Sequence, residues 1–183
     1  MKRVLVPLAD GFEEMEGIII IDVLRRAGLE VIVAGLDKKE IVASRNTKHI
    51  ADYLLEEVKD WEFDAIVLPG GSEGAKRLAN DERIKTIIED LNKKNKLIGA
   101  ICAAPNVLLK HNIIKENDKF TLHPNTLPEK YPGQFVDERV VKNNHIFTSK
   151  GPGTAFEFAL SIVEELCGKE TREKVEAPMF VKK

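Results

Sequence analysis

Hydrophobic and polar positions follow one another along this chain in blocks whose periods identify the elements. Val4 to Leu8 is a short, β-rich apolar run that gives way to the turn-forming pair Asp10-Gly11. Glu13 to Ala27 predicts a helix, with carboxylates in its first turn, Arg25 and Arg26 in its last, and Gly28 as its stop. Leu29 to Leu36 predicts a second buried strand. Phe63 to Leu68 predicts a third, running into Pro69-Gly70-Gly71. From Asp81 to Lys94 the pattern is amphipathic and helical, because Ile84, Ile87, Ile88 and Leu91 fall at i, i+3, i+4 and i+7. Leu97 to Ile101 predicts a fourth strand, and Ala103 to Lys110 begins the next helix.

These strands are continuous apolar runs rather than alternating ones, which predicts a parallel sheet covered on both faces. The second half adds a hairpin, with Gln134 to Val141 and His145 to Ser149 flanking the turn-like Asn143-Asn144. Gly153-Thr154 caps a last long helix whose apolar stripe is Phe156, Ala159, Leu160, Val163 and Cys167, ended by Gly168. Without a linker-like segment, residues 1–183 read as one α/β domain. The expected architecture is a flavodoxin-like three-layer sandwich: a mostly parallel sheet, helices on both faces and the added hairpin.

Ile18, Ile19, Ile20 and Ile21 do not fit a simple surface helix, because they spread over about 300° of a helical wheel at ~100° per residue. Either that helix is buried all round or its outer face meets another molecule. A second copy of the chain packed across a two-fold axis is the expected partner.

Composition narrows the function. The formal charge of −2 is dispersed, with no basic stripe interleaved with aromatics, so nucleic acid is not an expected partner. Lys182 and Lys183 read as a soluble tail. No apolar run approaches the roughly 20 residues that cross a bilayer, and Asp10 and the Glu13-Glu14-Met15-Glu16 run interrupt the only signal-like start, so a cytoplasmic location is expected. Two cysteines, Cys102 and Cys167, are too few for a disulfide framework and fit a reducing compartment.

Cys102 ends an apolar strand inside Gly99-Ala100-Ile101-Cys102-Ala103-Ala104-Pro105. Ligands of open α/β sheets bind outside such strand ends, and the small flanking residues suit a nucleophile elbow. A following helix N-terminus is expected to hold the thiol pKa well below the free value of ~8.5. A buried structural cysteine is the other reading, and it is the one preferred for Cys167 on its helix stripe. Gly70 and Gly71 mark a second strand end, where backbone N–H groups could approach a ligand as an oxyanion hole requires. Neither a phosphate loop nor a dinucleotide fingerprint is present. Glu16 can face the sheet edge that carries Cys102, or be an exposed acid at a positive helix end like Glu13 and Glu14; periodicity alone favours the exposed acid. His123, before Pro124, stands at another strand end. No histidine has metal-ligand spacing with a cysteine or carboxylate, so no metal and no other cofactor are expected.

Taken together, these strings resemble the ThiJ/PfpI superfamily, in the branch of the parkinsonism-associated protein (DJ-one) and its bacterial relatives. The resemblance runs through Gly11 to Glu16, Asp22 to Gly28, Leu68 to Gly71, Ala100 to Pro105, Leu122-His123-Pro124, Thr148 to Leu160 and Ala177-Pro178. It implies that Cys102 is the nucleophilic or oxidisable cysteine, Glu16 a protonated acid hydrogen-bonded to it, and His123 a nearby imidazole. It further implies an oxyanion pocket from the N–H groups of Gly71 and Ala103, and places Arg26 and Arg45 near the pocket and a dimer interface that also takes in Met15. Two departures stand out. Ala103 follows the nucleophile where the protease branch has histidine, and Ala43 and Ile50 lie in the region where members often carry another cysteine.

The implied activities fall into two classes. One is a glutathione-independent glyoxalase or deglycase acting on small carbonyls or glycated amines through a Cys102 thiolate. The other is an oxidative-stress sensor or redox-regulated chaperone in which Cys102 becomes a sulfinate. A cysteine peptidase is disfavoured by Ala103 directly after the nucleophile, and an amidotransferase-like hydrolase because no histidine follows His145.

Overall fold

Strand side chains that point alternately to two faces divide the core of this protein into two halves. The computed structural model describes residues 1–181, so the Lys182-Lys183 tail lies outside the described residues. In chain order the elements are β1 (Arg3–Leu8), α1 (Glu14–Arg26), β2 (Glu30–Gly35), β3 (Glu40–Val42), β4 (Lys48–Ile50), β5 (Tyr53–Leu54) and α2 (Leu55–Val58). There follow β6 (Ala65–Leu68), α3 (Ser72–Ala79), α4 (Glu82–Lys93), β7 (Leu97–Ile101), α5 (Pro105–Lys110) and β8 (Lys119–Phe120). The last are β9 (Gln134–Phe135), β10 (Val140–Asn143), β11 (Ile146–Ser149), α6 (Ala155–Cys167) and α7 (Lys169–Glu176).

The main sheet has seven strands in the order β10-β11-β7-β6-β1-β2-β5. Its pairs are parallel except β10 with β11. Leu5, Ile66, Leu68, Ile98 and Ala100 pack against Leu78 of α3, Ile84 and Ile88 of α4, and Val107 and Leu108 of α5. From the other face Val4, Val6, Ala65, Val67 and Leu97 meet Ile20 and Leu24 of α1 and Phe158 and Ile162 of α6. This is the expected α/β sandwich with helices on both faces.

Several boundaries move for identifiable reasons. Gln134–Phe135 does not belong to the hairpin; it pairs parallel with Lys119–Phe120 in a separate two-stranded sheet, and the hairpin is Val140–Asn143 with Ile146–Ser149. The helix after Cys102 begins at Pro105, because residues 102–104 form a turn. Phe156 is exposed rather than part of the buried stripe of α6, whose inward residues include Ala155, Phe158, Ala159 and Ile162. Cys167 is half-buried and packs against the core on the α1 and α6 side.

The four isoleucines divide as their wheel positions require. Ile20 is wholly buried, Ile19 and Ile21 are half-buried, and Ile18 is 43% exposed beside Met15 at 56%.

Candidate functional site

Three parallel strands, β1, β6 and β7, end at the same edge of the sheet, and the loops that leave them build the site. After β1 the chain turns through Gly11 and Phe12 into α1, whose N-cap Glu13 accepts a 2.9 Å bond from the Glu16 N–H through its side chain. That bond fixes the first turn, and Glu16, one turn in, points down into the protein with no exposed surface. Its Oε2 accepts the Gly70 N–H at 2.8 Å. Its Oε1 is buried without a hydrogen-bond partner among the described residues, and the Cys102 thiol stands close enough to the carboxyl to influence its titration.

Cys102 adopts φ 62°, a left-handed conformation that an L residue pays about 1–3 kcal/mol to hold. Its neighbours determine that geometry: its N–H donates to the Ser149 carbonyl at 2.9 Å and its carbonyl accepts the His123 N–H at 3.0 Å. The strand is thus stopped by β11 on one side and by the His123 turn on the other, and the side chain is lifted half-exposed into a cleft. The close approach of β6 requires Gly70, since a Cβ there would lie 2.5 Å from both Cys102 Cβ and Glu16 Oε2. Gly71 follows at φ 88°, where a Cβ would come within 2.2 Å of the Gly11 carbonyl. This conformation turns its N–H, together with that of Ala103, toward the Cys102 sulfur.

Electrostatics here are those of one acidic pair in a small buried volume. Burial pushes the Glu16 carboxyl up to about 7, against the lowering effect of the Gly70 N–H and the thiol, and with a further rise from the Glu13 charge. The thiol is pushed up to about 12 by burial, then by the charge of an ionised Glu16, while the Gly71 and Ala103 N–H groups favour the thiolate. A depressed thiol pKa, expected from a helix N-terminus, is therefore not what the geometry gives while Glu16 is charged. The helix starts too late to act on the sulfur, and a carboxylate stands beside it. Two charges cannot share this volume, so ionisation of one group holds the proton on the other.

The cleft around Cys102 has a volume of about 1080 Å³ and is lined also by His123, Arg45, Arg77 and Thr126. His123 is half-buried, and its Nδ1 accepts from the Asn125 N–H at 3.3 Å, which leaves Nε2 to carry the proton of the neutral ring. Arg45 is held at the rim by its own N–H, which donates to Glu14 Oε1 at 2.9 Å. The same carboxylate accepts from Ser44 Oγ at 2.8 Å and Thr47 Oγ1 at 3.1 Å, clamping this loop to α1. Cys102, Glu16, Gly70, Gly71, Ala103, His123 and Arg45 are thus brought to one sheet edge. Arg26 is not; it lies on the outer face at the far end of α1, 3.1 Å from Asp22. Sequence reasoning missed Arg77, Ser44, Thr47 and Glu14 as cleft or clamp residues, because each reads as an ordinary solvated position. Among the described residues no group of three or more histidine, cysteine or acidic side chains is placed to hold a metal ion. No helix among them is long and apolar enough to cross a membrane.

Known proteins are similar to this chain over nearly its whole length. The sequence model of the DJ-1/PfpI family matches residues 2–165. The Parkinson disease protein 7 homolog of Danio rerio is 44% identical over 186 residues, covering 99% of this chain and 98% of that protein. The glutathione-independent glyoxalase DJR-1.2 of Caenorhabditis elegans is 40% identical over 182 residues, covering 98% of this chain and 96% of that protein. The crystal structure of Drosophila melanogaster DJ-1beta superposes with a TM-score of 0.93 at 41% identity, covering 100% of this chain and 99% of that one.

Proposed function

Because the chain belongs to the DJ-1/PfpI family, we propose that its Cys102 cleft converts small 2-oxoaldehydes to 2-hydroxy acids without glutathione. The observation that carries this reading is a wholly buried Glu16 carboxyl set beside a half-exposed Cys102 that lines the cleft, so that a charge on one disfavours a charge on the other. The Cys102 thiolate adds to the aldehyde carbon, and the new alkoxide takes the Glu16 proton to give a hemithioacetal. Glu16, now a carboxylate, removes the hydrogen on C1 as a proton, and the electron pair passes through an enediol. Reprotonation at C2 leaves a 2-hydroxy thioester, an internal redox exchange that needs no cofactor. Water then cleaves the thioester to the hydroxy acid and returns the thiol. The N–H groups of Gly71 and Ala103 are oriented to stabilise oxyanion character at the reacting centre, and His123 is within the same cleft for proton movement. The printed name of the Caenorhabditis relative supports the carbonyl class. Glycated amines, the deglycase substrate class, would use the same groups.

The test is lactate formation from methylglyoxal in the absence of glutathione. Wild type should turn over and Cys102→Ala should not. No lactate from wild type, or equal lactate from both, overturns the reading.

A redox role is the second reading, favoured by the orphaned Glu16 Oε1 and the two N–H groups, which would hold the oxygens of a Cys102 sulfinate. A sensor is titrated once by peroxide, whereas the enzyme is not consumed. In either role the chain acts as a homodimer through the exposed face of α1, where Met15 and Ile18 lie open to solvent, with Ile50 of β4 at 80% exposure as a further apolar side chain to cover. A reducing compartment such as the cytoplasm keeps the thiol available.

A further inference from the structure

Beside the Cys102 cleft lies a smaller basin of about 370 Å³, between α3 and α5. The two share Ser72 and Thr126, and the basin is lined also by Ala103, the residue that follows the nucleophile. Their charges differ. The cleft is lined by Asp10, Glu13, Glu14 and Glu73 as well as by Arg45 and Arg77. The basin is lined by Lys76, Lys110, Asn80 and Asn106, with small and hydroxyl residues and no carboxylate.

Neither lysine has an ion-pair partner among the described residues. The exposed Lys110 ammonium donates to Asn80 Oδ1, a bond that joins the end of α5 to the end of α3. Asn106 Nδ2 donates to the Thr126 carbonyl at 3.0 Å and fixes the wall common to basin and cleft. Lys76 and Lys110, both exposed and without an ion-pair partner, thus line a positive basin of amides and hydroxyls that adjoins the Cys102 cleft through Ser72 and Thr126. An anionic group would be turned away from the carboxylates of the cleft and toward the lysines.

We infer that this basin is an anion subsite that takes the phosphate of a phosphorylated carbonyl compound whose aldehyde is presented to Cys102. This rests on the carbonyl reading of the cleft and narrows its substrate class. A free phosphate ion has the same chemistry and is the other source of such a group.

Two measurements separate these cases. The first compares KM for methylglyoxal with KM for its phosphorylated counterpart, hydroxypyruvaldehyde phosphate, in wild type and in the Lys76→Ala/Lys110→Ala double variant. Loss of charge-assisted contacts should raise KM for the phosphorylated substrate about tenfold or more and leave methylglyoxal kinetics unchanged. The double Lys→Arg variant should keep the preference. The second is calorimetric titration with inorganic phosphate, which needs no turnover: wild type should bind and the double alanine variant should not. If no carbonyl is turned over but phosphate binding depends on the two lysines, the carbonyl reading fails and the basin stands as a site for free phosphate. Equal KM values for the two substrates in wild type, or a preference that survives in the double alanine variant, overturns the phosphorylated-substrate inference. Absence of phosphate binding, or binding unchanged in that variant, overturns the anion subsite itself.

Discussion

Glu16, wholly buried on α1, lies against Cys102 at the end of β7, and the two side chains compete for one proton. Which of them holds it decides whether a nucleophile exists at neutral pH. Cys102 is the more exposed of the two, and two backbone N–H groups face its sulfur, whereas the carboxyl accepts one, from Gly70. Solvent and donors thus favour the charge on sulfur, with the proton on Glu16.

Thiolate absorbance in the ultraviolet should therefore appear with the first ionisation of the pair, before the carboxyl gives up its proton. Absorbance delayed toward about 12, the thiol's value beside a charged carboxylate, would place the charge on Glu16 instead. Stability carries a second signature. The folded carboxyl has a raised pKa, about 7 against 4.5, so between these values the unfolded chain releases a proton that the native protein keeps. Native stability then falls as pH rises through this window, by up to about 1.4 kcal/mol per pH unit. In Glu16→Gln, denaturant melts from pH 4 to 8 should lack this slope. The same variant should hold an ionised thiol and lose most turnover, because an amide donates but does not shuttle a proton. Full activity in Glu16→Gln would remove that carboxyl from the mechanism.

Gly70→Ala tests the approach of β6 to the pair. The added Cβ would lie 2.5 Å from Cys102 Cβ and from Glu16 Oε2, and 2.8 Å from the Ile101 carbonyl. Cys102 Cβ and the Ile101 carbonyl are fixed by the strand end, and Glu16 Oε2 is buried and held by the Gly70 N–H, so the strands must part. The expected cost is about 1–3 kcal/mol of stability, typical of overpacking, and a reduction of more than tenfold in Cys102 alkylation rate and turnover. Thermal melts and alkylation kinetics read the two effects separately. An alanine variant with wild-type values in both would show that the strand spacing is not needed.

The sequence made the sheet legible because its strands are apolar on both faces and its helix ends are chemically marked. Asp81 caps α4 through its own side chain, and Gly28 follows α1 at φ 78°. The short elements were not legible. β3, β4 and β5 span two or three residues each, too few for a period, and Gln134–Phe135 joined the wrong partner because strand pattern alone does not reveal register. The site was half legible. Cys102 showed itself by small neighbours at a strand end. Periodicity, by contrast, says only which way a residue points around its helix axis, not that the α1 start faces the β7 end. Glu16 was therefore an exposed acid by pattern and a buried partner only by family resemblance. Lys76 and Lys110 were invisible, since surface lysines are the ordinary covering of a helix and only the packing of α3 on α5 brings them together.

The dimer prediction changes with the structure. From the sequence, a charge at Ile20 or Ile21 is the expected way to break the dimer, yet Ile20 belongs to the protein's own core with Leu24 and Phe158. Ile20→Glu would bury an unpaired carboxylate and unfold the chain, which reveals nothing about association. Ile18 is the informative position: it is 43% exposed, adjoins Met15 on the outer face of α1, and is not among the core residues. Two copies of α1 packed across a two-fold axis would desolvate that apolar side chain twice, and a carboxylate there would face its symmetry mate at close range. Ile18→Glu should thus sediment as a folded monomer at micromolar concentration, with a melting temperature within a few degrees of the wild-type chain measured at low concentration. Because Glu16 stands in the first turn of the same helix, the monomer should also alkylate Cys102 at a changed rate. Wild type that sediments as a monomer at that concentration would leave the open face of α1 without a partner and remove the dimer from the account.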